Sequence, residues 1–292
     1  MGLKISKMET ILAIIKEPEN AEDFIVYSAS LAKDFHFNLH LAFLQEPSDF
    51  AIGQPPPSPA YASFLKDQKE KAANALKEFD RHVKKLPDEI RGSISVEFSA
   101  EYADAVIFIN DCIENGKAHM VILEEDEERG FWSASSNEMG VVNNANCPVW
   151  VIPHRMKYTS CKEIIYANDY QEEDLVTLRK LAELTRHLSP SITALHITDT
   201  DDFDERIRQA GFDDLVRSKI DYQQISVKSL KEKENENAAQ LIKNYSGSVN
   251  ADLIVVLKEN RSFFEKIFRS DPTTKIIRET RLPVLVYRHT KA

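Results

Sequence analysis

The stretch ADLIVVLKENRSFFEKIFRSDPTTKI, residues 251–276, decides how the chain folds. It begins as a continuous apolar run and continues as a segment rich in charged and aromatic residues. Continuous apolar runs are typical of parallel strands covered on both faces, so the stretch predicts a buried strand followed by a helix. Proteins that hold a nucleotide at such a junction usually place glycines there. Here no glycine follows Gly247.

The same strand–helix pattern occurs twice along the chain. At an offset of 153 residues, TILAII from Thr10 aligns with EIIYAN from Glu163, and NLHLAFL from Asn38 aligns with SITALHI from Ser191. Further along, the best offset falls to 133–135, where HMVIL aligns with DLIVV. The first copy is therefore about 20 residues longer, and its surplus is the proline-rich segment 46–60. Because proline lacks an N–H group, we expect this segment to be a loop outside the sheet.

Each copy predicts five strands that alternate with four helices. The predicted strands lie near residues 9–15, 38–45, 93–99, 118–123 and 148–152, and near 162–167, 191–197, 222–228, 251–257 and 283–287. The predicted helices lie near residues 20–36, 60–85, 102–115 and 133–146, and near 171–187, 203–219, 233–246 and 262–280. Within the second helix, Ala72, Leu76, Phe79 and Val83 share one face.

This alternation predicts an α/β fold with two doubly wound domains, at residues 1–155 and 156–292. Each domain is expected to hold a five-stranded parallel sheet of order 3-2-1-4-5, flanked by helices.

The composition argues against a nucleic-acid-binding, membrane or secreted protein. The net charge of −10 lies entirely in residues 1–155, which hold 15 basic and 25 acidic side chains, and it disfavours nucleic acid as a main partner. No apolar run approaches the roughly 18 residues that a membrane span needs, and no signal-peptide pattern is present. The three scattered cysteines fit a reduced, cytoplasmic location better than a disulfide framework or a zinc site.

The order, spacing and duplication of these segments resemble the universal stress protein family in its tandem form. In the second copy the resemblance rests on KEIIYANDYQEED (162–174), ITALHITD (192–199), ADLIVV (251–256) and RLPVLV (281–286). In the first copy it rests on TILAII, AHMVIL and NCPVWVI. In this family the fifth strand pairs with the same strand of another domain, which covers its edge. The resemblance therefore implies an intrachain pseudo-dimer, and it leaves a further homodimer open.

Nucleotide-binding members of the family have an Asp after the first strand. They also have a loop of the form G-x-x-G, nine residues, G-[S/T] after the fourth strand. In the second copy, the Asp position is Asp169, while the two loop glycines fall on Leu257 and Asn260. Several basic residues follow, so the loop could still hold an anion by charge. The resemblance thus gives these candidate ligand contacts: Asn168, Asp169, Asn260, Arg261, Ser262, Ser270, Thr273 and Thr274.

The first copy departs further from the nucleotide-binding pattern. Its Asp position is Lys16, and its two loop glycines fall on Glu124 and Glu127. The run EEDEE, residues 124–128, would place five carboxylates where phosphates sit, at a cost of roughly 1–4 kcal/mol for each close pair of like charges. We therefore expect an acidic solvated loop there and predict no metal site.

The histidines offer one further candidate. His196 lies near the carboxyl end of a predicted strand, where α/β sheets place ligands, so it either lines a pocket or is a half-buried structural residue. His36 and His40 straddle a helix end and a strand, and the repeat explains the matching positions of His154 and His289. Neither pair predicts a metal site.

The leading hypothesis is a non-enzymatic, cytoplasmic stress-response protein that acts by binding or regulation and does not bind ATP in the usual way. It has no predicted catalytic residue and no firmly predicted cofactor. One alternative is a nucleotide-binding regulator that holds ATP in the second domain and hydrolyses it slowly. Another is an interaction scaffold that uses the proline-rich loop and the acidic first domain. The expected partner is a small anionic ligand, a nucleotide or a protein, and neither nucleic acid nor a membrane.

Overall fold

The computed structural model describes residues 8–45, 59–125, 137–232, 238–259 and 281–288, in which strands and helices alternate. The strands are β1 Thr10–Ile15, β2 Asn38–Gln45, β3 Val96–Tyr102, β4 Met120–Glu124, β5 Val149–Ile152, β6 Glu163–Ala167, β7 Ser191–Thr198, β8 Ile225–Lys231, β9 Leu253–Leu257 and β10 Val284–Tyr287. The helices are α1 Glu22–Asp34, α2 Pro59–Lys85, α3 Asp88–Arg91, α4 Ala105–Glu114, α5 Asn137–Asn144, α6 Glu172–Thr185, α7 Phe203–Lys219 and α8 Ala238–Val249. None of these helices is both long and apolar enough to cross a membrane.

The described residues divide into two compact units. The first contains the residues up to Glu124 together with Asn143–Cys147 and Arg155–Tyr158, and the second contains the others. The domain bounds 1–155 and 156–292 stay a prediction. Residues 46–58 of the proline-rich segment and the predicted helix at 262–280 lie outside the described residues.

In the first unit, four parallel strands form the order β3-β2-β1-β4. The central strand β1 is almost wholly buried, as expected for an apolar run covered on both faces. Val96 begins β3 three residues later than the predicted strand. The short helix α3 and the turn after it, closed by hydrogen bonds from Gly92 and Ser93 to the carbonyls of Asp88 and Ile90, take up the residues before the strand.

In the second unit, the strands form the order β5-β10-β9-β6-β7-β8. The five strands β6–β10 are parallel and follow the predicted order 3-2-1-4-5. Strand β5 pairs antiparallel with β10, with Trp150 opposite Leu285, and neither side chain is exposed. Because β5 covers the free side of β10, that strand has no open edge in this unit.

Candidate functional site

The loop after β6 carries Asp169, and hydrogen bonds to the side chain of Asp174 hold this loop in place. One carboxylate oxygen, Oδ2, accepts the backbone N–H groups of Asp169 at 3.0 Å and Gln171 at 2.9 Å. The other, Oδ1, accepts the hydroxyl of Tyr166 at 2.6 Å. Burial raises the pKa of Asp174 above its ordinary value, although these hydrogen bonds oppose the rise. The loop is therefore held by a buried side chain from the first turn of α6.

The backbone of this loop turns at Tyr170. Its φ of 60° is in the left-handed region, which costs a bulky residue energy, and its N–H donates to the Asn168 Oδ1 at 3.2 Å. The ring packs 4.4 Å from the ring of His196 and 5.1 Å from that of Phe212, measured between centroids. Burial raises the pKa of the Tyr170 hydroxyl to about 12.

A chain of hydrogen bonds runs from Tyr170 to a buried carboxylate. The Ser229 Oγ lies 3.0 Å from the Glu205 Oε1, which can only accept, so Ser229 donates its single proton there. The Tyr170 hydroxyl, 2.6 Å from the same Oγ, must then donate to Ser229. Glu205 is 5% exposed and lies in the first turn of α7, whose start is fixed by Asp202, the acceptor of the Glu205 N–H.

His196, on β7, lies between carboxylates. Its Nδ1 is 2.8 Å from the backbone oxygen of Asn168, so Nδ1 carries a proton and donates it. The Nε2 lies 3.8 Å from the Glu205 Oε1, and the Nδ1 lies 3.6 Å from the Asp169 Oδ1. Arg208, one turn further along α7, places Nη1 3.7 Å from the Glu205 Oε2. The histidine is 7% exposed, so both of its ring nitrogens face protein groups.

These side chains form one wall of a cavity of about 450 Å³ at the carboxyl ends of β6 and β7. The lining as a whole is mostly polar and includes three carboxylates and one guanidinium. The lining residues are Asp169, Gln171, His196, Ile197, Thr198, Asp199, Arg208 and Glu232. A site of this composition favours hydroxyl or amino groups over phosphate, because added negative charge would meet carboxylates.

Of the predicted ligand contacts, the structure describes two. Asp169 lines the cavity, whereas Asn168 is fully buried beneath it and holds Tyr170 and His196. The other six, Asn260, Arg261, Ser262, Ser270, Thr273 and Thr274, lie outside the described residues.

The two copies of the predicted phosphate loop are described only at their beginnings. Leu257 is the last residue of β9 and is 3% exposed, so its side chain packs in the core. Burial lowers the pKa of the next residue, Lys258, whose N–H donates to the Tyr287 carbonyl at 2.9 Å. In the first copy, the Glu124 carboxylate accepts the Arg155 N–H at 2.8 Å, and Glu127 lies outside the described residues.

Several site residues were not expected from the sequence. Glu205 and Arg208 lie on α7, and Ser229 and Glu232 lie at the end of β8. The rule that ligands bind at the carboxyl ends of parallel strands points to the end of β8. The two helix residues carry no such signal: Glu205 lies in the first turn of α7, where acidic side chains usually serve the helix alone, and Arg208 lies one turn further along.

Comparison with known proteins bears on the fold. The model of the universal stress protein family matches residues 161–288. A solved universal stress protein from Archaeoglobus fulgidus DSM 4304 shares 15% identity and a TM-score of 0.62, over 97% of each chain. A putative universal stress protein from Pseudomonas aeruginosa UCBPP-PA14 shares 15% identity and a TM-score of 0.56, over 96% of this chain and 93% of that one.

The fold is not confined to such proteins. The cytoplasmic domain of a prokaryotic cation chloride cotransporter has 10% identity and a TM-score of 0.53, over 96% of this chain and 95% of that one. A search of curated proteins found no match. The fold alone therefore does not give the function. The match to the family model is thus confined to residues 161–288, and the likeness in fold to a solved universal stress protein extends over nearly the whole chain.

Proposed function

We propose that the protein is a universal-stress-type binding protein that takes up a small, hydroxyl-bearing molecule at the carboxyl edge of the second unit and does no chemistry on it. The observation that carries this proposal is the grouping of Asp169, Asp199 and Glu232 around one cavity of about 450 Å³. Carboxylates accept hydrogen bonds from hydroxyl and amino groups, and they repel phosphate. A nucleoside or a polyol fits this site better than a nucleoside triphosphate.

The state of His196 supports binding without catalysis. A general base needs a ring nitrogen that can take a proton from a bound ligand. Here Nδ1 already donates to the Asn168 carbonyl, and Nε2 lies 3.8 Å from the Oε1 of the buried Glu205, so both nitrogens are directed at protein groups. The histidine instead shapes one wall. This arrangement favours the binding function over slow ATP hydrolysis.

We further propose that the chain is a tandem pair, residues 1–155 and 156–292, joined as an intrachain pseudo-dimer through their fifth strands. The antiparallel ladder between β5 and β10 supports this proposal, as does the internal repeat. Val149, Trp150 and Val151 face Val286, Leu285 and Val284 in that ladder. Two equivalent apolar strands that pair antiparallel fit a twofold relation between the copies.

Calorimetric titration of the full chain with adenosine and, separately, with MgATP tests the binding proposal. We expect adenosine to bind at least as tightly as MgATP, and no release of inorganic phosphate above the buffer rate. Asp169→Asn should weaken adenosine binding roughly tenfold, the effect of one hydrogen bond to a charged group. Asp221→Asn, at a fully exposed surface carboxylate of the same unit, should change nothing.

Two results would contradict the proposal. If MgATP bound tenfold or more tightly than adenosine, roughly 1.4 kcal/mol, the protein would be recognising phosphate, and the nucleotide-regulator hypothesis would replace this one. If adenosine binding were unchanged in Asp169→Asn, the ligand would lie elsewhere.

A further inference from the structure

The first unit contains a larger cavity, of about 720 Å³, which the proposed function does not use. It opens between the carboxyl ends of β1 and β2 and one face of α2. Its lining combines two aromatic rings, two glutamine amides, two lysines and three carboxylates, and it includes Lys16, Phe43, Gln45, Phe64, Gln68 and Lys71. The cavity is thus mixed in character, with apolar rings beside amides and charged side chains.

The orientation of the Gln45 amide is fixed by a backbone carbonyl. The Nε2 of Gln45 lies 3.2 Å from the Gln68 carbonyl oxygen, which can only accept, so this atom must be the amide nitrogen. The remaining atom is therefore the oxygen, Oε1. Gln45 is only 9% exposed, and within the described part of the chain its Oε1 accepts no hydrogen bond.

A second amide oxygen is in the same condition. Gln68, whose backbone carbonyl accepts the Gln45 hydrogen bond, also lines the cavity. Its Oε1 is buried and has no hydrogen-bond partner among the described residues. A buried acceptor without a partner is unfavourable, and native proteins rarely leave one so. Two of them in the lining of one cavity favour a ligand that brings N–H donors.

The rest of the cavity indicates a flat, uncharged ligand. Phe43 and Phe64 supply apolar faces, and the Phe64 ring is held by an edge contact with Tyr102 at 5.8 Å. Lys71 Nζ lies 2.8 Å from the Asp67 Oδ2, so these two lining charges neutralise each other. Glu78, at the far end, is paired with Arg81 at 2.7 Å. None of these ion pairs calls for a charged partner.

We propose that this cavity binds a neutral aromatic molecule that presents N–H donors, such as a primary aromatic amide, with its donors on the Gln45 and Gln68 amide oxygens. The aromatic part packs against Phe43 and Phe64. This site belongs to the first unit and does not depend on the ligand of the second. Loss of the proposed adenosine site would leave it untouched.

The test uses two neutral, nearly isosteric probes with the full chain. Naphthalene-2-carboxamide carries two N–H donors, and methyl 2-naphthoate keeps the rings and the carbonyl but has none. We expect the amide to bind at least roughly fivefold more tightly than the ester, by fluorescence or NMR titration, since even one of its two hydrogen bonds contributes about that much. Equal affinity, or no binding of either probe, would overturn the proposal without any variant.

Substitution then assigns the preference to a residue. Gln45→Met keeps the length of the side chain and removes the acceptor, so it should abolish the preference for the amide while the ester binds as before. Gln68→Met should do the same to a smaller extent, which keeps the test usable if one variant folds poorly. The matched control is Gln171→Met, in the cavity of the second unit, which should leave the preference intact. If the control abolished the preference and Gln45→Met did not, the probe would lie in the other cavity and the proposal would be wrong.

Discussion

The imidazole of His196 donates a hydrogen bond from Nδ1 to the backbone oxygen of Asn168 at 2.8 Å. This contact joins the end of β7 to the loop after β6, two neighbouring strands of the sheet. It sets the tautomer of the ring and the path of the loop that carries Asp169. His196 therefore both lines the polar cavity and stabilises the loop that forms part of its wall.

Replacing this histidine should destabilise the protein. His196→Ala leaves the buried Asn168 carbonyl without its donor and removes the ring that packs on Tyr170, so the free energy of unfolding should fall by about 2–3 kcal/mol. Denaturant unfolding measures this change. The exposed His187 gives the control, since His187→Ala should stay within about 0.5 kcal/mol. A similar fall in the free energy of unfolding in both variants would show that the hydrogen bond and ring packing of His196 do not account for the destabilisation.

The buried Asp174 should make stability depend on pH. Burial raises the pKa of this carboxyl in the folded protein above its ordinary value of 3.8. Between the two pKa values, the folded state binds more protons than the unfolded state, so the free energy of unfolding falls as pH rises through this window. The contribution is fully present below pH 3.8 and is lost above the folded pKa.

Asp174→Asn removes this titration. We expect the stability of the natural protein, relative to the variant, to decline from about pH 4 toward neutrality, with a slope of at most about 1.4 kcal/mol per pH unit. Denaturant midpoints measured across this range would reveal the decline. A difference that stays constant with pH, or one that grows with pH, would contradict the raised pKa.

Asp252 in the second unit and His119 in the first have equivalent structural roles. The Asp252 Oδ2 accepts the backbone N–H groups of Lys162 and Glu163 at 2.8 and 3.0 Å, and the His119 Nδ1 accepts that of Thr10 at 3.1 Å. Each side chain thus holds the start of a strand, β6 for Asp252 and β1 for His119.

The number and charge of these bonds predict the order of the effects. Asp252→Ala should cost about 2–3 kcal/mol, because two donors lose a charged acceptor, and His119→Ala about 1 kcal/mol. Asp221→Ala, at an exposed ion pair, should cost less than about 0.5 kcal/mol. Thermal or denaturant unfolding of the three variants checks this ranking, and the reverse order for Asp252 and His119 would refute it.

Much of the fold follows from the sequence, because a strand buried on both faces of a parallel sheet must be a continuous apolar run. The burial of α2 does not follow as simply. The spacing of apolar residues in α2 predicts that Leu76 faces the core together with Phe79. In the structure Leu76 is 37% exposed, and Ala75 and His82 are buried instead. The His82 Nε2 lies 3.1 Å from the Pro18 carbonyl oxygen, a contact between residues far apart in the chain. The spacing of apolar residues within the helix does not predict such a contact.

The candidate site was only partly predictable. Asp169 could be found because a resemblance fixes its place after the first strand of its copy. Glu205 could not, because its importance comes from Ser229 and His196, which are 24 and 9 residues away along the chain and meet it only after β7, β8 and α7 pack together. The partnerless Oε1 of Gln45 likewise exists only in the folded protein.

The Tyr170 hydroxyl offers a spectroscopic test of the hydrogen-bond chain. Burial raises its pKa to about 12, so in the folded protein it should ionise later than an ordinary tyrosine with a pKa of 10.0. In a titration of tyrosinate absorbance, Tyr170→Phe should therefore remove amplitude only from the late phase. The same titration in denaturant should show no late phase in either protein, because burial is then lost. Amplitude lost from the ordinary phase near pH 10 would mean that the Tyr170 hydroxyl reaches solvent and that the chain from Tyr170 through Ser229 to Glu205 does not form.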